Sequence, residues 1–250
     1  MSGAGLSLRS KSRRRLRVPF NPTIFGATPQ VFNSGSTSMT IVLPARNVGD
    51  RLIIAICRKS SDGGDAIAPP AGCTALSTSG LTGCASCFSR AYVLDVTNAN
   101  VGDASALFSG GANVPSCSLV WRLTGCDLTV APVANGTVQN SNGITTLDPA
   151  ALTGPNSGAS QRNLWLAYLA VSLEDSANGA TPTVTGWPAG YGNTGTSTNT
   201  SASTTNGCGQ GWASKIATAG SDDPSAWSFL PNFPGGRAFA INIAVRGVQA

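Results

Sequence analysis

The chain contains no histidine, and Glu174 is its only glutamate in 250 residues. Without histidine, Ser-His-Asp and Cys-His catalysis and most zinc sites are excluded. One glutamate rules out a Glu pair for glycoside hydrolysis, and the aspartates fall mostly in turn-like sequence, where they read as solvated turn residues. Charged residues make up 11% of the chain, well below the usual share of about 25%. Long apolar runs are missing too. The longest, Leu164 to Val171, is too short to span a bilayer. No apolar stretch follows the basic N-terminus, so no secretory signal is expected. Neither a phosphate-binding loop nor a dinucleotide fingerprint occurs. The reading is therefore not an enzyme, with no metal, no cofactor and no membrane partner.

What is present is the composition of short strands and many turns. There are 30 glycines, and 41% of residues are hydrophobic. No segment carries an apolar stripe of helical period. Short apolar runs bounded by Gly, Pro, Asn or Asp recur instead: 39–43, 52–57, 91–96, 104–108, 117–123, 164–171, 212–216, 227–230 and 239–245. Asn-Gly pairs at 135–136, 142–143, 178–179 and 206–207 signal turns. The expected fold is all-β, an antiparallel β-sandwich or jelly-roll-like body.

The body repeats itself weakly. GDRLIIAI, PPAGCTAL, SRAYVLDVTNANVGDASALFS and CSLVWRLTGC are followed by RNLWLAYLAV, VTGWPAGY, GWASKIATAGSDDPSAWSFLP and FAINIAVRGV in the same order, about 110 residues later. This divides the chain into an extended basic arm (1–22), a first β half (23–127), a connecting segment (128–160) and a second β half (161–250). The two halves are expected to form related layers or lobes. Residues 192–209, rich in Thr, Ser, Asn and Gly, read as a long exposed loop.

Charge is concentrated in the arm. Arg9, Lys11, Arg13, Arg14, Arg15 and Arg17 fall within nine residues, and no acidic residue precedes Asp50. The remainder holds ten basic and eleven acidic residues, so the pI near 9.0 describes the arm. Such a block tethers a protein to an acidic partner. One partner is a protein surface whose carboxylates the Arg forks grip. The other is nucleic acid, bound with counterion release. No aromatic interrupts the block before Phe20, which weighs against base stacking. The protein-docking reading is preferred.

Seven cysteines occur at irregular spacing and read as reduced thiols of a protein made in the cytoplasm. Cys84-Ala85-Ser86-Cys87 is a lone CxxC ahead of a predicted strand, without the helix a redox motif opens. Ser61 to Asp65 and Gly220 to Asp223 read as tight turns, not calcium loops. Among the tryptophans, Trp121 and Trp165 lie in apolar strands and read as core. Trp187 and Trp212 flank the polar loop and are the candidates for a surface contact.

Several blocks resemble those of glycine-rich virion proteins of tailed bacteriophages. They are Gly49-Asp50-Arg51-Leu52, Pro70-Ala71-Gly72-Cys73-Thr74-Ala75-Leu76, Trp212 through Gly220, and Ala244-Val245-Arg246-Gly247-Val248. Cys73 stands where those proteins carry tryptophan. The resemblance implies a sandwich or jelly-roll component of a capsid, a head decoration or a tail appendage, often trimeric. The expectation is a non-enzymatic virion structural protein, a capsid decoration or cement protein anchored by its arm. Its partners would be the major capsid protein or other virion proteins, with further copies of itself. The alternatives are a tail fibre or appendage touching a host glycan, and a jelly-roll capsid protein whose arm binds the genome. The expected location is the virion.

Overall fold

A computed structural model describes residues 22–32, 38–59, 67–76, 87–109, 115–139, 144–155, 162–173, 183–200, 207–230 and 237–248. The first half supplies β1 (Thr23–Phe32), β2 (Ser38–Val42), β3 (Arg51–Lys59), β4 (Cys73–Ala75), β5 (Cys87–Asp95), β6 (Ser105–Ser109) and β7 (Ser116–Thr124). Five of these form a sheet in the order β1-β7-β3-β5-β4, and β2 pairs with β6 as a separate ribbon.

The second half supplies β8 (Val133–Gln139), β9 (Thr146–Leu147), β10 (Leu152–Thr153), β11 (Asn163–Leu173), β12 (Thr183–Gly186), β13 (Gly192–Thr200), β14 (Gly207–Ala217), β15 (Ser221–Asp222), β16 (Trp227–Leu230) and β17 (Arg237–Arg246). Its main sheet runs β8-β17-β11-β14-β13. A smaller sheet runs β9-β16-β12, and β10 pairs with β15. All the ladders are antiparallel, and the described residues include no helix. The chain is an all-β protein with a sandwich-like body.

Placed side by side, the two halves share one wiring. In each, the first strand lies at an edge, the last strand pairs with it, and the central strand comes next (β1-β7-β3 and β8-β17-β11). In each, two further short strands (β2 with β6, β9 with β16) leave the main sheet and pair above it.

Burial explains why the central strands read as unbroken apolar runs. Between the main sheets lie Ile53, Ala55, Leu119, Trp121 and Leu123 from one side and Leu164, Leu166, Tyr168, Ile241 and Ile243 from the other. The alternate residues of β3, Leu52, Ile54 and Ile56, turn the other way and pack under Met39, Ile41, Ala106 and Phe108 of the ribbon. Similarly Ala167, Leu169 and Val171 of β11 pack under Leu147, Val184, Trp227 and Phe229. A strand covered on both faces has no polar side to alternate with. Trp121 and Trp165 are buried core residues, as expected.

Three expectations change. The segment 128–160 is not only a connection: β8 lies in it and pairs along β17 as an edge of the second sheet. Asn135-Gly136 sits inside β8, opposite Asn242 and Ile241, and makes no turn there. The polar region 192–209 contains strand β13 and the start of β14; residues 201–206 lie outside the described set. Polarity misled here because β13 is an edge strand, half-exposed and free to carry Thr, Ser and Asn. Edge position also accounts for Pro29 within β1, since an edge strand tolerates a missing ladder donor.

Charged residues are buried where the halves join. The Arg51 guanidinium, 1% exposed, meets both Asp95 carboxylate oxygens at 2.6 and 3.0 Å and donates to the Val130 carbonyl at 2.9 Å. Arg122 donates to Asp50 at 2.7 Å. The first half ends against the last strand of the second: Asp127 N donates to Arg246 O at 2.9 Å, and Val248 N donates to Gly125 O at 3.0 Å.

Candidate functional site

The arm residues Arg9, Lys11, Arg13, Arg14, Arg15 and Arg17 lie outside the described residues, as do Ser61 to Asp65, Glu174 and the first three residues of the CxxC. Trp212 lies on β14 and is 8% exposed. Its indole packs in the inter-sheet core, over Gly195, where any side chain would collide with the ring. Trp212 therefore offers no face to a ligand, contrary to the expected surface contact. The polar sequence beside it hid its inward direction. Trp187 is half-buried against the cluster under the small sheet.

The two Pro-Ala-Gly turns are built alike. Cys73 N donates to Pro70 O at 3.1 Å, and Tyr191 N donates to Pro188 O at 3.2 Å. Gly72 and Gly190, third in each turn, have φ of +83° and +77°. A type II turn needs that conformation there, and glycine adopts it without a Cβ penalty.

Beyond the turns, the halves align without a gap from Val93 to Phe108 and from Ser214 to Phe229. Phe108 and Phe229 fall together, and both are buried in the clusters outside their sheets. In this alignment Cys73, Leu94 and Val101 correspond to Tyr191, Lys215 and Asp222. The first three belong to one apolar cluster, with Cys73 directly opposite Leu94 in the ladder. Burial pushes the Cys73 thiol up to about 11, so it is protonated at neutral pH.

The second three form a polar triad. The Tyr191 hydroxyl donates to one Asp222 carboxylate oxygen and the Lys215 ammonium donates to the other. Lys215 Nζ also lies 4.6 Å from the centre of the Tyr191 ring, a cation–π distance. The Asp222 side chain is 9% exposed and that of Lys215 25%. Desolvation first, then the hydrogen bond to Asp222 and its negative charge, push the Tyr191 hydroxyl far above its ordinary range. It is a neutral donor at any physiological pH. Each carboxylate oxygen thus accepts from the chain's own groups. The arrangement fastens the 188–191 turn to β14 and β15. Asp222, expected in a plain turn, is the keystone of this contact.

At the corresponding corner of the first half lies an open cleft of about 530 Å³, with Gly72, Thr74, Val93, Asp95 and Asn100 on its walls. Asp95 there is held by Arg51. Among the described residues no group of three or more His, Cys, Asp or Glu is placed to hold a metal ion, and no helix is long and apolar enough to cross a membrane.

Compared with known proteins, the chain matches no family model, no curated sequence and no solved structure.

Proposed function

We propose that this chain is a non-enzymatic virion structural protein, a capsid decoration or cement protein fastened by its basic N-terminal arm. The observation that carries the reading is the partition of charge. Six cationic side chains stand within residues 9–17, ahead of a body with ten basic and eleven acidic residues. A nearly neutral body lacks a long-range field of its own, so attraction to an acidic surface is delegated to the arm. The layered body supports the same reading. Its central strands are covered on both faces, and three of its described ion pairs, Arg51–Asp95, Arg122–Asp50 and Lys215–Asp222, close within the body at hydrogen-bond distance. That suits a rigid block that others hold in place.

The partner is a capsid subunit or another virion protein with carboxylates along a groove, and the block sits on the particle with further copies of itself. The test uses particles that carry this chain, stripped of it and then re-supplied. Full-length protein is expected to rebind, while protein lacking residues 1–17 keeps its β circular dichroism and fails to bind. Full occupancy by the truncated protein would overturn the anchoring reading. Crosslinks from the arm to genome, surviving in assembled particles, would favour the genome-binding alternative. The glycan-contact alternative now rests on Trp187 alone, because Trp212 is buried.

A further inference from the structure

The two main sheets meet at a pair of thiols. Cys117 on β7 and Cys208 on β14 are both fully buried, and their sulfurs are 3.2 Å apart. Nothing in the wiring requires cysteine at either place; each sits on a different half and a different sheet. What surrounds them fixes their approach. Ser116 O, one residue before Cys117, accepts from Asn199 Nδ2 at 3.2 Å, and Ser118 O, one residue after it, accepts from Gln210 Nε2 at 2.8 Å. Asn199 stands opposite Cys208 in the β13–β14 ladder, and Gln210 lies two residues beyond it on β14. Two hydrogen bonds between the sheets therefore clamp the strands on either side of the sulfur pair.

We propose that Cys117 and Cys208 are the site of a disulfide that joins the two sheets, formed when the protein meets an oxidising environment. A disulfide bond is about 2.05 Å long, so the sulfurs need close by only about 1 Å. The oxidant is a small-molecule disulfide such as oxidised glutathione. One cysteine thiolate attacks it, forming a mixed disulfide and releasing one reduced thiol. The second thiolate then attacks the protein sulfur of that mixed disulfide and displaces the other reduced thiol. Two protein thiols are oxidised, one small disulfide is reduced, and two protons leave the cysteines. Because both sulfurs are buried, the exchange proceeds while the strands are open, during folding or a local opening. The chain is made with thiols, and the link follows release from a reducing compartment.

Cys57 is the internal control. It lies opposite Cys117 in the β3–β7 ladder and is also fully buried. The full chain is unfolded in urea, refolded with oxidised glutathione, unfolded again in urea for alkylation, and digested without reductant. The expected product is a peptide pair joined through Cys117 and Cys208, about 2 Da lighter than the sum of the two free-thiol peptides. The melting temperature should rise by about 10 °C over the reduced protein, given that the two cysteines are 91 positions apart in the chain. Cys57→Ala should keep the link and the rise; Cys208→Ala should lose both. The proposal is overturned if Cys117 and Cys208 are fully alkylated after oxidative refolding, or if Cys117 is joined to Cys57.

Discussion

The corner holding Cys73, Leu94 and Val101 and the corner holding Tyr191, Lys215 and Asp222 occupy the same place in two copies of one wiring. They solve the same problem in different ways. In each, a Pro-Ala-Gly turn must be held down against the strand beside it and the loop that follows. The first half does so by removing apolar surface from water. The second uses a carboxylate that accepts from a hydroxyl and an ammonium at once. Apolar packing tolerates small shifts of its members, because it has no preferred direction. A partly buried ion triad tolerates the loss of none, because each survivor is left desolvated without a partner. The same backbone is therefore compatible with both chemistries, and the fold does not dictate which one stands at the corner.

Exchanging the two chemistries breaks this comparison most sharply. Leu94→Lys places an ammonium in the first half at the position of Lys215, without the carboxylate that Asp222 provides. The expected loss is about 3–5 kcal/mol in urea unfolding, as for a buried charge without a partner. Asp222→Ala removes the acceptor from the second triad and strands Lys215 and Tyr191. Lys215 is partly solvated, so the expected loss is smaller, about 2–3 kcal/mol. An equal loss for the two variants would mean that the corners are not alternative solutions to one problem.

Tyr191→Phe removes one hydrogen bond and should cost about 1 kcal/mol at neutral pH. It also carries a pH signature. The folded chain holds the Tyr191 proton far more tightly than the unfolded chain, whose tyrosines titrate near pH 10. The contribution of the triad is thus complete below pH 10 and is lost as pH rises above it. Urea midpoints measured from pH 9 to pH 11 should fall more steeply for the native chain than for Tyr191→Phe. Parallel curves would detach Tyr191 from the triad. The smallest effect is expected from the combined replacement of Tyr191→Cys, Lys215→Leu and Asp222→Val, which copies the first corner onto the second. Replacing a whole ion cluster by apolar groups is often neutral, so the expected loss is under about 0.5 kcal/mol. A much larger loss would assign the triad a role beyond holding the turn.

The all-β class, the buried central strands and the duplication were legible in the residues. Runs such as LIIAIC and LWLAYLAV are apolar throughout, and a strand of that kind must be covered on both faces. The Pro-Ala-Gly blocks recur in both halves of the sequence, and in the structure glycine in the third position serves a specific backbone conformation. Edge strands did not announce themselves: β8 and β13 carry Asn, Gly, Thr and Ser, the residues that also make loops. The direction of Trp212 was hidden for a related reason, since the stretch before it in sequence is polar but its neighbours in space are the inter-sheet core.

Local residue chemistry by itself determined which segments become strands, where several turns fall and that charge gathers in the arm. Those properties depend on side-chain periodicity, backbone conformational preference and composition, which act over a few residues. Only the tertiary structure decided that Asp222 meets Lys215 and Tyr191, and that Cys117 meets Cys208 across the two sheets. Such pairings depend on which strands become neighbours and which faces turn inward, a matter settled by the packing of the whole body.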